Sequence, residues 1–194
     1  MKLSPQIRWI TATTLGLALV GFGLHFPGSG GSNWDQSAAA FGAVLGAVSG
    51  VIVGLLQWLM LRGVLHGPWS AVLSMAVGVG FSHALADGAP SSVGPAPVAV
   101  AAALVLTGAL ALAYAERRPV LLAASFLGWG GGLLIAYAVT GALGLPATQD
   151  PVGWGTEHAV VGTVTGLVWG ALTAGAGFRS LVPRPPVPMS LKGR

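Results

Sequence analysis

From Trp9 to Leu61 the chain carries a single charged side chain, Asp35, and that scarcity constrains the fold more than any motif. The same pattern recurs downstream. Apolar runs cover Ile7–Phe26, Ser37–Leu61, Trp69–Ala86, Pro97–Ala115, Val120–Leu143 and Glu157–Phe178, six in all. A bilayer core of roughly 30 Å needs about 17–25 apolar residues in a helix, and each run meets or approaches that length. None shows the period-2 alternation of a strand, and none has the charged face of a helix packed in water. The connectors PGSGGSNWDQ, RGVLHGP, DGAPSSVGPAP, ERRP and GLPATQDPVGWG carry the turn-forming residues. Charged residues make up 7% of the sequence, against about a quarter in a soluble domain. The expectation is an all-α integral membrane protein of six transmembrane helices, residues 1–179, followed by a Pro-rich basic tail, 180–194. The N-terminal run is read as a mature helix rather than a signal peptide, because it belongs to a repeat.

Charge sets the expected orientation. Lys2 and Arg8 precede the first run, Arg62 follows the second, Arg117 and Arg118 follow the fourth, and Arg179, Arg184, Lys192 and Arg194 follow the sixth. All nine basic residues thus fall on one side, while Asp35, Asp87, Asp150 and Glu157 fall on the other. Basic residues in short loops stay in the cytoplasm. Both termini are expected there, in a multi-pass protein of the bacterial cytoplasmic membrane. The lipid bilayer is one expected partner. The basic residues form no run, so nucleic acid is not.

The even-numbered runs align on Gly54, Gly108 and Gly170, with the next basic residue eight, nine and nine positions on. Each preceding acidic-side loop brings one Asp. The chain therefore reads as three helical hairpins, about 7–62, 69–117 and 120–179. Small residues recur every four positions, as in Gly42, Gly46, Gly50 and Gly54 of GAVLGAVSGVIVG. Gly128 and Gly132 share that spacing, as do Gly162, Gly166 and Gly170. In water each helical glycine costs roughly 1 kcal/mol against alanine. In lipid, association depends on close packing, and a glycine stripe lets two backbones meet. These nine glycines are expected to pack helices in the manner of a glycine zipper.

The second run ends in QWLMLR, Gln57–Arg62. It resembles the helical hairpins of small bacterial polytopic membrane proteins of unknown function, which end in a similar Q-W-x-x-L-R. That resemblance implies a multi-helix membrane protein and no particular activity. Gln57 lies five residues before Arg62, about 7.5 Å deeper. It is expected to bond a neighbouring helix near the interface, with Trp9, Trp58, Arg62 and Trp69 anchoring at the headgroups.

No Asp, Glu, Lys or Arg lies centrally in any run, which argues against ion-coupled transport. There is no cysteine to serve as nucleophile or ligand. His25, His83 and His158 sit toward the acidic side and are the candidate cofactor ligands. A neutral imidazole there could hold a haem iron or a (bacterio)chlorophyll magnesium, with Gly21 leaving room beside His25. GAVSG around Ser49 and HAVVG at His158 loosely resemble a rhomboid protease, but Ser49 lies in the second helix rather than in a late turn. No catalytic residue and no metal site is expected. The functional expectation is a non-catalytic accessory or scaffold subunit of a larger membrane complex, photosynthetic or respiratory. The alternative is a small channel or carrier for a neutral solute, its pathway lined by Thr and Ser.

Overall fold

A computed structural model of the chain describes residues 3–23, 36–61, 68–113, 119–145 and 151–176. These residues are helical, without strands: α1 (Pro5–Gly23), α2 (Gln36–Leu61), α3 (Pro68–Gly88), α4 (Pro95–Ala113), α5 (Pro119–Ala142) and α6 (Pro151–Ala176), with a one-turn 3-10 helix at Ser91–Val93. Five of the six helices begin on proline. The ring presets the helical φ, and the missing N–H is one the first turn could not have bonded. α5 stops at a left-handed glycine, Gly144 with φ 66°. There Leu145 N–H donates to the Thr140 carbonyl at 2.9 Å and Gly144 N–H to Gly141 at 3.1 Å. This paired closure satisfies carbonyls that the helix end would otherwise leave free.

The sixth helix starts well before the apolar run read from the sequence. Pro151 initiates it, so Glu157 and His158 lie almost two turns inside the helix rather than at its opening. The other boundaries shift by at most three residues, and the end of α2 at Leu61 does not move. Three segments are long and apolar enough to cross a membrane, Gln36–Met60, Pro119–Ala142 and Gly155–Gly175, and Val72–Leu85 and Pro95–Ala111 are shorter apolar stretches.

Each helix packs on its neighbours in sequence, and α6 returns to pack on α1, so the six form a closed ring. The registers run antiparallel at every step. Gly42, Gly46 and Gly50 of α2 meet His83, Val79 and Met75 of α3, and Gly162, Gly166 and Gly170 of α6 meet Leu17, Thr14 and Ile10 of α1. The most extensive interfaces are α2–α3 and α1–α6. Both join the expected hairpins to one another, whereas α1 and α2, expected as one hairpin, share a smaller contact. Proximity in the chain sets the order around the ring, and the glycine faces set how deeply each pair interlocks.

The distribution of side chains is that of a molecule whose solvent is apolar. Leu19, Val44, Leu104, Leu127 and Val120 face outward, each about 60% or more exposed. Thr13, Ser49, Gln57, Ser125, Thr165 and Thr173 are buried. A soluble monomer rarely exposes apolar patches on this scale. The centre holds Trp169, Met75, Leu106, Val53 and Val79, all at 1% exposure or less. The hydroxyls that face inward mostly return to their own helix. Ser49 donates to Leu45 (2.7 Å), Ser82 to Gly78 (2.7 Å) and Thr173 to Trp169 (2.6 Å).

Candidate functional site

Antiparallel packing sorts the described charged residues to opposite ends of the ring. Arg8 lies at one end, where its Nη1 donates to the Met60 carbonyl at 3.0 Å and closes the last turn of α2. Asp87 and Glu157 lie at the other. Two polar groupings follow, one inside the ring toward the Arg8 end and one at the Asp87 end.

The interior grouping is aromatic. Trp169 of α6 stands against Trp129 of α5 edge-on, centroids 5.6 Å apart, and against Trp9 of α1 at 6.0 Å. Such tilted and edge-to-face pairs suit the ring quadrupoles. The indole N–H of Trp169 donates to Ser125 at 2.9 Å, and that of Trp9 to Thr173 at 2.9 Å. One step around the ring, Gln57 donates to Thr13 at 3.0 Å, both residues fully buried. Each bond joins two helices, α6 to α5, α1 to α6 and α2 to α1. Gln57, expected to bond a neighbouring helix near the interface, makes this bond to α1. The sequence reading placed Trp9 at the headgroups, whereas Trp9 is 5% exposed and faces inward, because Thr173 offers its N–H an acceptor there. Trp58 is half-buried and Trp69 is 70% exposed. Arg62 and His25 lie outside the described residues.

Trp129, Trp169, Ser125, Thr13 and Thr173 were not singled out from the sequence. The available signal was a bulky indole inside a glycine-rich stretch, as in FLGWGGG and LVWGALT. Gly128 shows the connection. A Cβ there would fall 2.9 Å from the Trp169 Cα and 3.1 Å from its ring. Glycine on α5 is what admits the tryptophan of α6. Gly132 does the same for Thr165, at 3.0 Å. Gly54 is buried on α2. Two interior polar atoms, Trp129 Nε1 and Thr165 Oγ1, have no hydrogen-bond partner among the described residues.

The second grouping collects ionisable side chains from three helices. α3 brings His83 and Asp87, one turn apart on the same face. α5 brings Tyr137, and α6 brings Glu157 and His158. His83 Nδ1 lies 3.1 Å from the Val79 carbonyl. A carbonyl only accepts, so Nδ1 carries the proton and Nε2 keeps its lone pair. Asp87 lies just past the apolar stretch of α3 and rests against Gly42 of α2. Burial pushes its carboxyl from 3.8 up to about 6, and nearby His158 pulls it partly back. Gly21, expected to leave space for a ring, instead receives the backbone carbonyl of His158. Among the described residues no three His, Asp or Glu side chains stand close enough to share a metal ion. Comparison with family models, with curated proteins and with solved structures found no match.

Proposed function

We propose that the chain crosses the bacterial cytoplasmic membrane six times, with both termini in the cytoplasm, and acts as a non-catalytic scaffold or accessory subunit of a larger membrane complex. The observation that carries this reading is the filled centre of the ring. Trp169, Met75, Leu106, Val53 and Val79 belong to one buried apolar cluster to which all six helices contribute. Three interhelical bonds brace the same core, and the large apolar side chains point outward to lipid or to other subunits. A molecule so arranged offers surface and rigidity. The pigment- or haem-bearing version of this reading would use His25, Nε2 of His83 or the His158 imidazole; the space beside Gly21 is taken by the His158 carbonyl.

A carrier of neutral solutes is the second reading. It is favoured by Trp129 Nε1 and Thr165 Oγ1, buried polar atoms that a hydrogen-bonding solute would satisfy.

The test is purification from the native membrane in mild detergent, with mass and visible absorption read on the same chromatographic peak. A scaffold subunit elutes in an oversized particle. Absorption bands that move in His83→Leu or His158→Leu would assign it a cofactor. A colourless monomer sinks the subunit reading and directs work to solute flux in liposomes. The span number is checked separately with single cysteines in this cysteine-free chain. Ser4→Cys and Ser92→Cys are expected to react with impermeant reagent from opposite sides.

A further inference from the structure

The Asp87 carboxyl occupies an unusual seat. It lies where a side chain on Gly42 would project: a Cβ there would fall 3.0 Å from the Asp87 Cγ and 2.9 Å from the His83 carbonyl. Gly42 is the seventh residue of α2, beyond the four whose N–H groups stand free at a helix start. The seat therefore gives an anion no backbone donors, and no hydrogen bond reaches Asp87 among the described residues. Among the described residues four other titratable groups share this end: His83 on α3 itself, His158 and Glu157 on α6, and Tyr137 on α5. α2 and α4, the two helices packed directly on α3, bring none among their described residues. Arg8 stands at the opposite end.

We propose that Asp87 is a proton-operated clasp between α3 and α2: neutral, it stays seated on Gly42, and ionised, it leaves that seat toward water and the His158 imidazole, loosening the α2–α3 contact at this end. The neutral carboxyl tolerates an apolar seat, whereas the carboxylate demands solvation or a cation. His158 is a basic side chain within electrostatic reach. The clasp sits where the most extensive helix interface of the ring ends, so its state is transmitted to α2 along Gly42, Gly46 and Gly50. It gives this end of the molecule a response to the acidity of the compartment it faces. Acid closes it, and neutral pH opens it.

The chain has no cysteine, so a doubly labelled form needs no background removal. Spin labels on Ala40→Cys of α2 and Phe81→Cys of α3, both exposed positions, report the separation of the two helices in nanodiscs between pH 4.5 and 8. The expected result is a narrow distance distribution in acid that broadens with a midpoint near 6, the value set by burial. Asp87→Asn holds the distribution narrow throughout. His158→Gln moves the midpoint upward, because it removes the neighbour that draws the Asp87 value down. Gly42→Ala blocks the seat and gives the broad distribution at every pH. A flat response in the parent, or a titration that persists in Asp87→Asn, overturns the proposal. So does loss of the titration in His158→Gln, which would make the imidazole the sensor.

Discussion

At the scale of single residues, stability depends on polar side chains that have found each other inside an apolar ring. The Gln57–Thr13 pair shows why truncating one partner is worse than losing both. Thr13→Val leaves a buried amide without its acceptor, whereas removing both partners removes the mismatch. Bonds between membrane helices are worth about 1 kcal/mol, because the unassembled helices also find partners. Thr13→Val is expected to cost about 1–2 kcal/mol in reversible unfolding in detergent, and Gln57→Met on that background to recover most of it. A double mutant no more stable than Thr13→Val alone would refute the coupling. Trp169 carries more. Trp169→Ala vacates the core against Trp9 and Trp129 and is expected to cost about 3–5 kcal/mol. Trp169→Phe keeps most of the volume but leaves Ser125 without its donor, and belongs nearer 1–2 kcal/mol. Asp87 adds a pH signature. Its folded value, about 6, lies above its ordinary 3.8, so its stabilising contribution is complete below about pH 4 and is lost as pH rises through 6. The melting temperature is expected to fall across that window in the parent, and this component of the fall to vanish in Asp87→Asn.

At the scale of helices, the spacing-of-four glycines other than Gly54 meet neighbouring backbones, whereas Gly108, Gly131, Gly141 and Gly175 meet nothing within 4 Å. A methyl on Gly162 would run into the Leu17 carbonyl, and one on Gly50 into that of Met75. Nothing lies within 4 Å of a Cβ on Gly108 or Gly175. Gly162→Ala is therefore expected to destabilise by about 1–3 kcal/mol through overpacking. Gly175→Ala is expected to be neutral or to gain up to about 1 kcal/mol from helix propensity. Equal melting temperatures for the two variants would remove the packing role of the stripe. This contrast marks how far the sequence could be read. Periodicity exposed the glycine faces and the helices themselves, because both are local patterns within one segment. The partner of each face was hidden, because choosing α3 for α2 and α1 for α6 depends on the fit between two separate segments, not on a pattern within one. The inward turn of Trp9 was hidden for the same reason. Its acceptor, Thr173, lies at the far end of the sequence, so the indole looked like an ordinary interfacial anchor. The early start of α6 was legible in Pro151 and was masked only by the polar residues that follow it.

At the scale of the whole molecule, the ring is closed by its first and last helices, with its centre filled by side chains from all six. His83, Asp87, Tyr137, Glu157 and His158 were scattered in the sequence, and up-and-down packing gathers them at one end. The gathering was largely legible, since His83, His158, Asp87 and Glu157 are all assigned to the acidic side; Tyr137 is not. Its dependence on Gly42 was not. Closure between α1 and α6 also has a consequence for biogenesis. A chain growing at ~5–20 residues per second reaches Gly162 roughly 7–30 s after it has made Leu17. During that interval the face of α1 that carries Ile10, Thr13 and Leu17 has only α2 beside it, and the Trp9 N–H has no Thr173. Nascent chains are then a population of open arcs, exposed to membrane chaperones and proteases until the final segment arrives. A chain ended at Leu145 is expected to be cleared rapidly in cells, and co-expression of Pro151–Ala176 as a separate segment to restore its lifetime.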